Sequence, residues 1–476
     1  MSIPHSASLE PAAVPRPLRD LPSPPGWPVL GQLPGFDPLR AHTTFERWAR
    51  ELGTPYRMSL GPGYTVVVFD DVETAQQISR ERPHAFTRGG RIQPVMAEMG
   101  FNGLFSVEGQ AWNPQRKLIM QALNATHFKG WFPTLAAITR RLHKRWQRAA
   151  ASGEVLEMTS ELKRYTVDVT SALAFGRDPN TLEQERDRIQ EHLELIFPAL
   201  MKRVMTPFSY WKWIRLPADR RLDRALAAVH AHARECIEDA RKQLVDADPA
   251  APRHALEAML LRQQELGLSD ADIVANVITL LLGGEDTTAY SLCWTMPYLA
   301  AEPALQQRMH ERALAVLGAE AVCPDHATLH ELDGFEHLAM ESLRLRPVVP
   351  INGYEPVADT VVGGVQVPAR TRLFFLNRPS LMDPARFEQP ERYDPERWRQ
   401  DRRAAGGAHD VRAFLQFGAG PRVCPGRHLA TLEMRLVLSM LLHQFEVELA
   451  TDLASIEEVN AFTMMPSRMP VRLRPR

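Results

Sequence analysis

The stretch FGAGPRVCPGRHLA, residues 417 to 430, sets three glycines around one cysteine, Cys424, and an Ala- and Leu-rich helical pattern begins directly after it. Glycines 418, 420 and 426 permit positive φ and close backbone approach, so a loop of this kind can turn several N–H groups toward one sulfur. Such donors stabilise a thiolate and tune a metal bound to it. A zinc site needs three or four ligands, usually at short spacing, and only His428 is near, four residues on. One thiolate without partner ligands fits the axial position of a haem, where the macrocycle supplies the other four. A buried structural cysteine in a Gly-rich turn is the competing reading, because a single Cys is weak evidence.

The rest of the chain bounds the choice. It has 476 residues, is 45% hydrophobic and carries a formal net charge of −1. That balance speaks against nucleic-acid binding through a strongly basic surface. Arginine far outnumbers lysine, which suggests the codon usage of a GC-rich bacterial genome. The four cysteines, Cys236, Cys293, Cys323 and Cys424, include no C-x-x-C pair and make no disulfide framework, which points to a reducing compartment. The N-terminus shows no apolar h-region, and no apolar run approaches the roughly 18 residues of a membrane span. The expectation is a cytoplasmic protein with no membrane anchor.

Residues 1 to 35 are Pro-rich and predict an extended arm; residues 36 to 476 read as one domain, since no linker divides them. The segment YRMSLGPGYTVVVFDD predicts a β-hairpin. From about Asp71 to Ala301 the apolar residues recur at three- and four-residue spacing, so the fold class is mainly α with a small β-rich lobe.

Three further constellations stand out. LLLGGEDTTAY, 280 to 290, lies in an apolar helix that starts near Ser269, with Asp272 completing a capping box. Two mid-helix glycines, Gly283 and Gly284, cost about 1 kcal/mol each relative to Ala. Close approach to a flat ligand or a local opening of the hydrogen-bond ladder would offset that. Thr287 can bond back to the Gly283 carbonyl, and Asp286 beside it makes an acid–alcohol pair able to relay protons; a plain helix kink is the alternative. ESLR places Glu341 and Arg344 on one helical face, with Arg397 in DPERW as a third member. WNPQRK places Trp112 and Arg116 four apart, the spacing of a cation–π contact.

Taken together, these motifs resemble the cytochrome P-450 superfamily. The pattern F-x-x-G-x-R-x-C-x-G is matched by Phe417, Gly420, Arg422, Cys424 and Gly426, and the likeness spans from about residue 50 to the C-terminus. The resemblance implies a single-domain triangular prism with haem b between the long central helix and the cysteine loop. It makes Cys424 the proximal thiolate, with Phe417, Gly418 and Gly426 around it and Gly283 and Gly284 on the opposite side. It makes Arg422, Trp112 and Arg116 contacts of the haem propionates, Asp286 and Thr287 the proton-delivering pair, and Glu341, Arg344 and Arg397 a structural triad. Two positions depart from it. Tyr354 stands where many relatives carry an Arg or His for a propionate, and Leu381-Met382-Asp383-Pro384 replaces the usual His-Arg-Asp-Pro.

The activity implied is monooxygenation, in which one atom of O2 enters an apolar organic substrate such as a lipid, terpenoid or polyketide. No G-x-G-x-x-G follows a strand, so the electrons are expected from a separate ferredoxin or flavodoxin with an NAD(P)H-dependent reductase. Arg116, Lys117, Arg422 and Arg427 are the candidate docking face. A peroxygenase or isomerase on the same fold, or a haem sensor, are the alternatives. The candidate pocket walls, 89 to 103, 196 to 213, 348 to 354 and 461 to 466, are rich in Met, Phe and Ile.

Overall fold

Between Val72 and Ala301 the three- and four-residue apolar spacing forms helices, and the longest is the 32-residue central helix Asp270–Ala301. Its start is fixed by the capping box legible in the sequence. Ser269 Oγ accepts the Asp272 N–H at 3.2 Å, and the Asp272 carboxylate accepts the Ser269 N–H at 2.9 Å. The helix is apolar on nearly every face, so it can be stable only when wrapped. Helices Met158–Phe175, Pro217–Gln243, Gly334–Leu345 and Arg427–Gln444 wrap it and form the main core with it. The computed structural model describes residues 14–184, 188–206, 209–244, 248, 251–404 and 409–476.

The β lobe is a five-stranded sheet in the order Tyr56–Ser59, Thr65–Phe69, Arg372–Leu376, Ile351–Pro356, Phe86–Thr87. The predicted hairpin is its first pair, antiparallel, turned by Gly61 at φ +108° and Gly63 at φ +71°. Within this sheet only the pairing of Thr65–Phe69 with Arg372–Leu376 is parallel. Of the Pro-rich arm, residues 14 to 35 are seated on the β structure. Arg16–Pro17 pairs with Val365–Val367 at a sheet edge, Leu21 is buried, and Gln32 bridges Pro24 O and the Ser59 N–H. An edge position tolerates proline because the missing N–H is not needed there. Residues 1 to 13 lie outside the described residues. Among those described, no helix is long and apolar enough to cross a membrane.

Candidate functional site

The cysteine loop leads directly into the helix Arg427–Gln444. Gly418 and Gly420 take φ of +71° and +64°, as expected, but Gly426 is an ordinary −84°. Each glycine has its own use. A Cβ on Gly420 would lie 2.2 Å from Ser79 O, so that glycine lets the loop press on the helix Val72–Glu81. A Cβ on Gly426 would meet Cys424 Sγ at 3.8 Å, an ordinary contact, and it is the N–H of Gly426 that turns to the sulfur. The Cys424 N–H donates to Phe417 O at 2.7 Å and closes the loop, and the Phe417 ring lies under the Arg427 guanidinium. Dense surroundings push the Cys424 thiol up, and the N–H groups of Gly426 and Arg427 with the charges of Arg116 and Arg427 pull the other way. The residue is nonetheless accessible, the only such cysteine among the four.

The central helix runs unbroken through Gly283 and Gly284, so its ladder does not open there. The two glycines serve different neighbours. A Cβ on Gly284 would fall 2.7 Å from Thr170 Oγ1 on Met158–Phe175, so this glycine permits helix–helix contact rather than ligand approach. Gly283 meets nothing within 4 Å and is exposed in the middle of a buried helix. Thr287 Oγ1 donates to Gly283 O at 3.0 Å, the back-bond expected from the sequence. Asp286 is not alone with it. Lys163 Nζ lies 3.3 Å from Asp286 Oδ1 and 3.3 Å from Glu285 Oε1. Glu285 adjoins the motif and was open to sequence reasoning; Lys163 sits on another helix and carries no local signal.

Glu341, Arg344 and Arg397 come together as one buried cluster. Arg344 grips Glu341 through Nη2 and Nε at 2.9 and 3.0 Å, and Arg397 Nε donates to Glu341 Oε1 at 3.0 Å. The remaining donors are met: Arg344 by the carbonyls of Leu381 and Arg392, Arg397 by that of Gln389. Trp398 Nε1 and the Asp394 N–H complete the shell of Glu341, both at 3.0 Å. Trp398 belongs to this cluster although sequence reasoning stops at Arg397. Met382 faces it too, with its sulfur 3.8 Å from Arg344 Nη1.

A second cationic cluster gathers beside the cysteine loop. Arg422 donates to Val107 O at 2.8 Å and to Glu108, and its guanidinium lies over the Trp112 ring at 4.8 Å. The cation on Trp112 is therefore Arg422 and not Arg116, whose Nη1 donates to Val423 O at 2.8 Å. Glu108 also faces Arg82 at 3.5 Å and accepts the Arg88 N–H at 2.8 Å. Arg82 lies over the Tyr354 ring at 5.3 Å, and Arg88 over Phe105 at 3.9 Å. Burial, with the like charges of Arg82 and Arg422, holds the Arg88 guanidinium down to about 9. Sequence reasoning misses Arg82, Arg88 and Glu108; a lone Arg in a loop has no distinguishing pattern. Of the expected docking residues, Lys117 and Arg427 are exposed, whereas Arg422 is buried against Glu108.

Two of the expected pocket walls, 196 to 213 and 461 to 466, meet through aromatic rings, and Phe105, just beyond the wall 89 to 103, joins them. Phe462 stacks on Phe197 at 4.7 Å and tilts against Phe105 at 5.6 Å. The segment before Phe105 is seated on the central helix: the Leu104 N–H donates to Asn276 Oδ1 at 2.9 Å.

An accessible cysteine cradled by backbone N–H groups, an apolar central helix with an acid–alcohol pair, and a buried Glu–Arg–Arg cluster together define the haem-thiolate class. The comparisons agree. The Cytochrome P450 family model matches residues 21–472, so the chain belongs to the cytochrome P450 family and is a cytochrome P450 monooxygenase. The chain is 28% identical over 437 residues to cyclooctat-9-en-7-ol 5-monooxygenase of Streptomyces melanosporofaciens, covering 88% of this chain and 90% of that one. It is also 28% identical to the mitochondrial 25-hydroxyvitamin D-1 alpha hydroxylase of Mus musculus, covering 95% and 92%. The fold matches the crystal structure of the cytochrome P450DA haem domain with a TM-score of 0.84 at 22% identity, over 97% of this chain and 98% of that one. The family implies haem, and the donor set suits it. It offers one accessible cysteine as a sulfur donor, and buried guanidinium nitrogens, Arg422 Nε and Nη1, without a hydrogen-bond partner.

Proposed function

We propose that this chain inserts one oxygen atom of O2 into an apolar organic substrate, with electrons from a separate ferredoxin or flavodoxin and its reductase. The observation that carries the reading is Cys424, an accessible thiol with backbone N–H groups turned to its sulfur and cationic residues beside it. When bound, haem supplies the activation of dioxygen at a thiolate-ligated iron. The chain's own residues do the rest. Cys424 is the ligand, Gly426 turns its N–H to the sulfur, and Phe417 closes the loop. Arg422 and Trp112 hold the propionate side, and Arg116 ties the helix Trp112–Ala122 to the cysteine loop. Gly283 keeps the central helix open on one side. Thr287 holds a proton there, and Asp286, steadied by Lys163, replenishes it. The half-buried Phe105, Phe197 and Phe462 give an apolar wall and exclude water. The relatives named for cyclooctat-9-en-7-ol and 25-hydroxyvitamin D support an apolar substrate.

The ferrous carbonyl spectrum tests the reading. The wild type is expected to give the red-shifted Soret band of a thiolate ligand, and Cys424→His to bind haem without that band. An unchanged band in the variant removes Cys424 as the ligand.

A further inference from the structure

We propose that Arg82 and Arg88, together with Arg422, form the site that takes the two propionate carboxylates of haem, supplying the cations that the sequence lacks at Tyr354 and Met382. The inference rests on the haem-thiolate reading and adds two residues that no motif assigns.

The two departures have separate explanations in the fold. Met382 lies against Arg344 in the Glu341 cluster. Tyr354 presents its ring to Arg82, so a phenol stacks on a guanidinium where a second cation would have repelled it. The cation comes instead from the neighbouring strand. Phe86–Thr87 pairs with Glu355 and Pro356, and Arg88 follows directly, with Gly89 close against the Tyr354 backbone. Arg82 comes from the end of the helix Val72–Glu81. Two elements of the β lobe thus bring an arginine each to Arg422 of the cysteine loop.

Charge sets the ligand class. The cluster itself holds Arg82, Arg88, Arg422 and one carboxylate, Glu108, while Arg116, whose charge also reaches Arg422, is tied to Val423 O. Two positive charges remain, which suits two carboxylates. The next pair outward, Arg372 with Glu355, is balanced in itself. Hydrogen bonding points to acceptors at the same place independently. Arg82 Nε, Arg88 Nε, and Arg422 Nε and Nη1 are buried without a hydrogen-bond partner. Buried donors in folded proteins are nearly always paired, and a group of four on one cluster marks where acceptors belong. Rings of Tyr354, Phe105 and Trp112 cover a face of each guanidinium. That stacking fixes the planes and leaves the donor edges to receive carboxylate oxygens. Glu108 shares the same cations, so it holds the cluster together and competes with the propionates.

The test is the rate of haem transfer from holoprotein to excess apomyoglobin. Arg82→Met and Arg88→Met are each expected to lose haem about 10-fold faster, the scale of one charge-assisted hydrogen bond. Arg88→Lys should recover part of the loss. Glu108→Gln is expected to lose haem at the wild-type rate or more slowly, because a competitor is gone. A cluster needed only for folding predicts the opposite for Glu108→Gln, and that result, or wild-type rates in both Met variants, overturns the proposal. Should the Met variants yield no holoprotein, wild type carrying the dimethyl ester of iron protoporphyrin IX decides. It keeps the ring and lacks the propionate charges, so loss about 10-fold faster than for normal haem is expected, and equal rates overturn the proposal. A normal ferrous carbonyl band in the wild type alongside such a failure leaves the thiolate reading standing and removes only this one.

Discussion

Two buried arginine–carboxylate clusters lie in this molecule, and they are finished to different degrees. Around Glu341, both arginines spend their donors on the carboxylate and on the carbonyls of Leu381, Arg392 and Gln389, and Trp398 and Asp394 complete the acceptor. Around Glu108, the guanidinium groups of Arg82 and Arg422 share one carboxylate, Arg88 gives it only its backbone N–H, and four nitrogens of the three arginine side chains are unpartnered. A cluster that satisfies itself holds the fold; one that does not is shaped for something added. Net charge alone does not distinguish them, since both are cationic. The count of satisfied donors does, because an unmet buried donor forfeits its hydration without return.

The largest expected effect breaks the finished cluster. Arg344→Ala or Arg397→Ala leaves Glu341 buried and underpaired, at a cost of about 3–5 kcal/mol. Little holoprotein should accumulate from either, and normal melting in both would reduce the cluster to an incidental ion pair. In the unfinished cluster the same change reads differently. Arg88→Ala should leave the melting of the haem-free protein near wild type, because it removes repulsion along with a contact. Strong destabilisation of the haem-free form would erase the contrast.

The two glycines of the central helix offer the same contrast on a smaller scale. Gly284→Ala drives a methyl into Thr170 and should cost about 1–3 kcal/mol, read by thermal or denaturant unfolding. Gly283→Ala meets open space and should stabilise the haem-free protein by up to about 1 kcal/mol through helix propensity. Equal effects would mean that the helix does not have one packed and one open side here.

The smallest effect belongs to a surface pair, which gives the baseline for both clusters. Asp270 at the start of the central helix is held down to about 2 by its hydrogen bond to Arg241, then by that to Gln263. A carboxyl lowered on folding stabilises above its unfolded pKa, near 4, and loses that contribution as pH falls toward 2. Asp270→Asn should therefore flatten the acid limb between about pH 4 and 2 and lower the melting temperature slightly at neutral pH. An unchanged acid limb would show that the pair contributes nothing in solution.

Much of this molecule is legible in its sequence. The capping box at Ser269, the hairpin over 56 to 69, the back-bond of Thr287 and the joining of Glu341 with Arg344 are local, with partners a few residues apart. Arg397 is reachable because its motif is specific. The features that the sequence hides are set by distant neighbours. Lys163 reaches Glu285 and Asp286 from another helix, and Arg88 comes to Arg422 across more than three hundred residues of chain. The cation on Trp112 differs from expectation for the same reason: spacing favours Arg116, and packing chooses Arg422.

The sequence by itself determined the class of the protein, through the cysteine loop and three motifs in order, because backbone freedom, helix caps and short-range pairs depend on residues close in the chain. Only the tertiary structure decided which glycine faces a helix and which faces open space, which arginines are finished and which are not, and where the missing cations come from. Each of those depends on what packs against a side chain, and the partner's position is set by the whole fold rather than by the residues beside it.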